Sequence, residues 1–184
     1  MIKIIDNFFD DKDLKAVQDF ALNRAFYTPK FFENTTEKSK KNFYGNRWYL
    51  NNDENLKQLF IKQAELKFDI KINELQKSSG IDQRNLDHFQ PHIDDDSKIN
   101  ILIMIHGPTA VSNGTVFYHG DVNDCVLDMH VGFRENRAIL FPSDFVHSPH
   151  MSKIPNLKRY TATLFVTDYD WDSGSSFCEF VFSR

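Results

Sequence analysis

Asn85-Leu86-Asp87-His88-Phe89-Gln90-Pro91-His92-Ile93-Asp94 is the stretch around which the chain reads. Leu86, His88, Gln90, His92 and Asp94 recur at every second residue, so an extended backbone puts all five on one face. That face ends in His92-Ile93-Asp94, an imidazole and a carboxylate that can grip one metal ion together. The third ligand then has to come from a distant segment, and residues 142–159 offer candidates. A lone His-x-Asp is weak evidence; what lies around it gives it weight.

Outward from this stretch the texture of the chain changes. From Arg84 onward, short extended runs alternate with turns. Residues 100–105, 115–119, 125–129, 138–141, 160–167 and 177–182 all read as strands, with Gly107-Pro108, Ser112-Asn113-Gly114 and Ser173-Gly174 as punctuation. Many short strands at this spacing predict a mainly β fold of sandwich or jelly-roll type with supporting α-helices outside it.

Before Arg84 the pattern is more helical. Ile2, Ile4 and Ile5 form a short strand. Asp10 or Asp11 can cap a helix carrying Leu14, Val17 and Ala21 on one face. Residues 28–41 are polar and read as a loop, and 42–50 read as a strand bent at Gly45. A second helix starts at Asn52 or Asp53 and aligns Leu56, Leu59, Phe60 and Ala64. Residues 68–75 fit either the end of that helix or a new strand, and Ser78-Ser79-Gly80 is a turn. The chain therefore divides into helical support (1–80) and a jelly-roll core (81–184) within one domain.

The bulk numbers exclude several classes. At 184 residues a single domain can bury about 70% of its unfolded surface. Eighteen phenylalanines predict a core built on aromatic packing, and a net charge of −4 argues against a dedicated nucleic-acid binder. No apolar run is long enough to span a membrane, and residues 1–7 lack the apolar run of a signal peptide. Cys125 and Cys178, without Cys-x-x-Cys spacing, read as buried free thiols of a reducing compartment, so the expected location is cytoplasmic.

Two groups from His92-x-Asp94 plus one distant histidine would make a facial triad. It leaves about three of six octahedral positions open, as in non-haem Fe(II) oxygenases. His147 and His150 both follow the 138–141 strand. His147 is favoured, because it ends Phe145-Val146, where a strand would hold its direction. Further on, Arg159 and Thr161 point the same way in a strand, a fork of donors and a hydroxyl suited to a carboxylate.

The ordered set resembles the 2-oxoglutarate and Fe(II)-dependent dioxygenases, nearest their compact prolyl-4-hydroxylase-like branch. It comprises His92-x-Asp94, then Asn113-Gly-Thr-Val-Phe-Tyr118, then Leu140-Phe-Pro-Ser143 with a histidine, then Arg159-Tyr-x-Thr. The resemblance covers roughly residues 86–167. It implies a double-stranded β-helix in which His92, Asp94 and His147 hold Fe(II). Arg159, helped by Thr161, would bind the far carboxylate of 2-oxoglutarate. The co-substrate would be oxidised to succinate and CO2 while a substrate C–H bond is hydroxylated, with ascorbate in a supporting role. The family's Pro-Ser-x-x-x-His pattern again selects His147, although the spacing from His150 to Arg159 is also allowed.

Other readings were weighed on the same residues. His119-Gly120-Asp121 is a second His-x-Asp, but it reads as a turn too close to His147. Asp95 and Asp96 read as solvated loop charges, and His106 and His130 as structural or surface residues. His88 and Gln90 either line the pocket or are satisfied core polars. Lys38, Lys40, Lys41 and Arg47, interleaved with Phe43, Tyr44, Trp48 and Tyr49, could form a nucleic-acid strip. Oxidative nucleic-acid demethylases of the superfamily carry a second arginine where this chain has Phe165, which argues against that use. A non-catalytic cupin-like binding module, or a metal cupin using no 2-oxoglutarate, is the competing class. The expected partner is a small-molecule or peptidyl substrate, selected by loops 28–46 and 121–124.

Overall fold

The structure, a computed structural model, describes residues 1–33, 41–84, 90–109, 112–150 and 158–171, and at 30–33 and 41–44 the backbone alone. Eleven strands are assigned within it. They are β1 (Lys3–Ile5), β2 (Thr28–Glu33), β3 (Lys41–Tyr49), β4 (Ile70–Leu75), β5 (Gly80–Arg84), β6 (Ile99–His106), β7 (Gly114–Asp121), β8 (Asp124–Gly132), β9 (Arg137–Pro142), β10 (His147–His150) and β11 (Arg159–Trp171). Seven follow the order β1-β9-β6-β11-β5-β3-β2, with β4 also pairing β11, and the remaining three form a smaller sheet, β10-β7-β8. The two antiparallel sheets enclose a core between them, the jelly-roll arrangement expected from the strand-rich second half and the double-stranded β-helix that the family resemblance implies.

β6 shows why this sequence makes a central strand. Ile99, Ile101, Ile103 and Ile105 alternate with Asn100, Leu102 and Met104, and both sets are largely buried. The isoleucines join Phe8, Phe9, Phe60, Phe68 and Leu164 in a core between the large sheet and the helices. Met104 faces the small sheet, packing with Ile139, Phe141, Phe117, Val131 and Phe133. The aromatic expectation holds in detail: Phe9 meets Phe8 and Phe60 edge-on at centroid distances of 4.8 and 5.3 Å, and Phe20 meets Trp48 at 4.7 Å. Truncating such a ring to alanine costs about 3–5 kcal/mol.

Helix α1 (Asp11–Asp19) starts at Asp10, whose carboxylate accepts from the Asp13 N–H at 2.8 Å, and continues through a π-helical turn at Phe20–Arg24. Helix α2 (Glu54–Phe68) is capped in the same way by Asp53. It ends at Asp69, which adopts a left-handed conformation (φ 58°) and turns the chain directly into β4. The ambiguity at 68–75 is thereby resolved: Phe68 is the last helical residue and Ile70 begins a strand whose Ile70 and Ile72 are buried.

Three expectations are corrected. Residues 28–41 are not one loop, since β2 pairs with β3 and β3 with β5. Their polar sequence hid a ladder at the sheet edge, where backbone pairing rather than apolar alternation makes the strand. The first eighty residues are accordingly more than helical support, as they add strands to both ends of the large sheet. Cys125 is a free thiol but only half-buried, on the outer strand β8. The expected strand at 177–182 and Cys178 lie outside the described residues, as do His88, Lys38 and Lys40. Among the described residues no helix is long and apolar enough to cross a membrane.

Candidate functional site

β7 carries β10 beside it, with His147 opposite Phe117. His147 does not end a strand through Phe145-Val146, as its sequence context suggests; Asp144 lies in a turn and His147 opens β10. The 90–94 stretch is stitched onto this element. His92 and His147 exchange backbone hydrogen bonds (3.0 and 2.9 Å), and the Asp94 N–H donates to the Ser143 carbonyl at 2.9 Å. The imidazoles lie with centroids 4.3 Å apart.

One ligand atom from each of His92, Asp94 and His147 falls within 4.8 Å of the others, and among the described residues this is the group of three or more His, Cys, Asp or Glu that could hold a metal ion. The Nε2 atoms of His147 and His92 stand 3.4 and 3.9 Å from the two carboxylate oxygens of Asp94. Each imidazole is oriented from behind. Nδ1 of His92 lies 3.1 Å from the Gln90 carbonyl, and Nδ1 of His147 lies 2.8 Å from the Phe145 carbonyl. A carbonyl can only accept, so Nδ1 carries a proton in each ring and Nε2 is the nitrogen turned toward Asp94. Burial, reinforced by the neighbouring His147, pushes His92 down to about 3, which keeps it neutral and able to ligate. Burial opposes the charge on Asp94, but the hydrogen bond and charge of His147, the His92 imidazole and the Asn100 amide hold its carboxyl below the usual range. Two imidazoles and one carboxylate with room between them fit a divalent transition metal such as Fe(II).

Asn100 is a feature the motif reading missed. It is fully buried, its Nδ2 donates to Asp94 Oδ2 at 2.6 Å, and its Oδ1 accepts from Ser97 Oγ at 2.9 Å. The signal was a single amide inside the aliphatic run of β6. Ser143 Oγ in turn donates to the Ser97 carbonyl, tying the loop to the start of the small sheet.

The same pocket is lined by Arg159, Thr161, Thr115, Phe141, Phe165 and Arg84. Arg159 is 2% exposed, and its Nη1 donates to the Gly114 carbonyl at 2.7 Å and to Asn113 Oδ1 at 3.1 Å. Burial pushes its guanidinium down to about 10, with Asp82 pulling the other way. Arg159 Nε and Thr115 Oγ1 are buried without a hydrogen-bond partner among the described residues, which suits a polar ligand. Arg84, the other guanidinium of the pocket, sits one residue before the quoted stretch; its cue was the two-residue alternation of Asp82 and Arg84, both on one face of β5.

The remaining sequence candidates fall elsewhere. His150 is exposed at the far end of β10, its ring 5.4 Å from that of His130. His119, Gly120 and Asp121 lie exposed near the β7–β8 hairpin tip, and Asp95 and Asp96 are exposed in a turn. His106 is half-exposed and lies 2.6 Å from Glu135. Gln90 is exposed and contributes its carbonyl. Arg47 does not belong to a surface strip: it is buried in a two-pronged ion pair with Asp82 (2.5 and 2.6 Å), and Trp48 is buried against Phe20.

No family model and no curated protein matches the chain. Solved structures do match it. SnoN, a non-heme alpha-ketoglutarate-dependent epimerase from nogalamycin biosynthesis, is similar with a TM-score of 0.58 at 10% identity, over 91% of this chain and 78% of that one. A prolyl hydroxylase from Trichoplax adhaerens, solved with a hypoxia-inducible-factor peptide fragment, gives 0.59 at 16% identity over 91% and 83%. A 2OG-Fe(II) oxygenase family oxidoreductase from Burkholderia pseudomallei gives 0.54 at 13% identity over 92% and 84%. The chain has the fold of the 2-oxoglutarate–Fe(II) oxygenases.

Proposed function

We propose that the protein is an Fe(II)- and 2-oxoglutarate-dependent oxygenase that hydroxylates a C–H bond of a small-molecule or peptidyl substrate. The observation that carries this reading is the convergence, in one pocket, of the His92–Asp94–His147 donor set with the buried guanidinium of Arg159. His92, Asp94 and His147 would hold Fe(II); Arg159 and Thr161 would hold the distal carboxylate of 2-oxoglutarate. When bound, iron and co-substrate supply the oxidising chemistry, with 2-oxoglutarate ending as succinate and CO2.

The chain's own contribution is orientation. The Gln90 and Phe145 carbonyls fix which ring nitrogen each histidine presents. Asn100 occupies one oxygen of Asp94 and leaves the other to a metal. Arg159 is held in place by Gly114 and Asn113 before any ligand arrives, so anion binding costs little reordering. Phe141, Phe165 and Leu102 wall the pocket and exclude water from the reacting end.

Both substrate classes have precedent among the similar structures, one solved with a peptide fragment and one with nogalamycin RO. The buried positions of Arg47 and Trp48 favour these over a nucleic acid. The test is calorimetry without oxygen: 2-oxoglutarate should bind only in the presence of Mn(II) or Fe(II). Ascorbate-supported conversion to succinate should follow in air. Metal-independent binding, or none, would overturn the proposal and favour a binding module.

A further inference from the structure

The co-substrate reading uses one arginine, yet the pocket holds two. β5 and β11 run antiparallel with Arg84 opposite Arg159, so both side chains leave the same face of the large sheet. Both line the pocket that contains His92, Asp94 and His147, and both are buried, at 8% and 2% exposure. Directly opposed like charges on neighbouring strands destabilise a sheet. Burial pushes the Arg84 guanidinium down to about 9, and the Arg159 charge pushes it the same way, while Asp94 pulls it back up.

Asp82 does not cancel this. Its two oxygens take the Nε and Nη2 of Arg47 at 2.5 and 2.6 Å, and Arg84 Nη2 shares the second oxygen at 3.1 Å. Asp82 thus tethers Arg84 beside Arg47, while Arg159 Nη1 donates to its own carbonyl and amide acceptors. Along β11, Arg159, Thr161, Thr163 and Phe165 all line the pocket, and Phe165 pairs with the Asn100 that holds Asp94. Arg159 thus stands at the opposite end of this row from Phe165, with Arg84 beside it across the sheet and within electrostatic reach of Asp94.

We propose that Arg84 is the second arm of an anion clamp, gripping with Arg159 the distal carboxylate of a 2-oxo diacid and making the pocket selective for diacids over 2-oxo monoacids. This rests on the co-substrate reading above. Two forks around one carboxylate satisfy more of its lone pairs than one fork does, and the anion relieves the repulsion between the guanidiniums.

The experiment compares 2-oxoglutarate with 2-oxopentanoate, which lacks only the distal carboxylate, by calorimetry with Mn(II) under anoxic conditions. Arg84→Gln should weaken 2-oxoglutarate about 10–100-fold, the range of a hydrogen bond to a charged group, and leave 2-oxopentanoate within about twofold. Arg84→Lys, which keeps the cation and its pairing with Asp82, should lose a smaller factor in the same selective way; it also serves if the glutamine variant fails to fold. Equal losses for the two acids, or no loss for either, would reduce Arg84 to a packing role and overturn the clamp while leaving the co-substrate reading standing. Absence of 2-oxoglutarate binding by the unaltered protein would sink both.

Discussion

His92 and His147 donate a backbone N–H to each other's carbonyl, at 3.0 and 2.9 Å, although 55 positions separate them in the chain (147 − 92 = 55). This reciprocal bridge sets the two imidazoles beside Asp94, their planes tilted by 46°. It also makes the segment before β6 and the start of β10 one structural unit, so a change in either reaches the other.

That arrangement leaves out His150. His147→Ala should abolish Mn(II) or Fe(II) binding, and His150→Ala should retain most of it. Metal titration of the two variants, followed by calorimetry, gives the answer directly. The reverse pattern would mean that the far end of β10, not its start, presents the third ligand.

Arg159 and Thr161 should differ in weight. Arg159→Ala should weaken 2-oxoglutarate binding by about 2–5 kcal/mol, the cost of removing one partner of a buried charged pair, with metal affinity nearly unchanged. Thr161→Val should cost about 0.5–1.5 kcal/mol, one neutral hydrogen bond. Similar losses at the two positions, measured by anoxic titration, would contradict the roles assigned to them.

Asn100→Ala removes a fully buried amide and leaves Asp94 Oδ2 and Ser97 Oγ short of a partner. Stability should fall by about 1–3 kcal/mol in urea unfolding. Metal affinity should fall about 10–100-fold, as for other partners of metal-binding side chains. A variant with lower stability but unaltered metal affinity would show that Asn100 serves the fold alone.

Asp6 bridges Arg134 and Arg137 at 2.7–3.1 Å, and the hydrogen bond from Arg137 is the largest of the effects that lower its carboxyl. Its folded pKa lies below its unfolded one, so its stabilisation is present above the ordinary carboxylate range and is lost as pH falls through the folded value. Because the pair is partly solvated, Asp6→Asn should cost only about 0.5–1 kcal/mol near neutrality. The difference between the two proteins should vanish in acid. Urea curves at neutral pH and near pH 2 test the sign.

Much of this was legible in the chain itself. Short runs rich in branched and aromatic residues, set between turns, marked β6, β7, β9 and β11, because strands buried on one or both faces draw on such side chains. The caps Asp10 and Asp53 announced both helices. His92-x-Asp94 and Arg159-x-Thr161 could be picked out because a two-residue spacing puts both members on one face.

What the sequence left open was decided by pairing between distant segments. β2 and the edge of β3 show no apolar alternation, and only their ladders, β2 to β3 and β3 to β5, make them strands. Arg47 looked like a surface cation until Asp82 was placed beside it. Arg84 gained its meaning from Arg159 across the sheet, and Asn100 from the fold of the preceding segment that lays Asp94 against it. His147 and His150 stand three residues apart in one four-residue strand, so their side chains leave opposite faces of it. What brings His147 beside Asp94 is the chain that crosses over it: His92 bonds to the backbone of His147, and contacts between segments so far apart arise only when the two sheets close on each other.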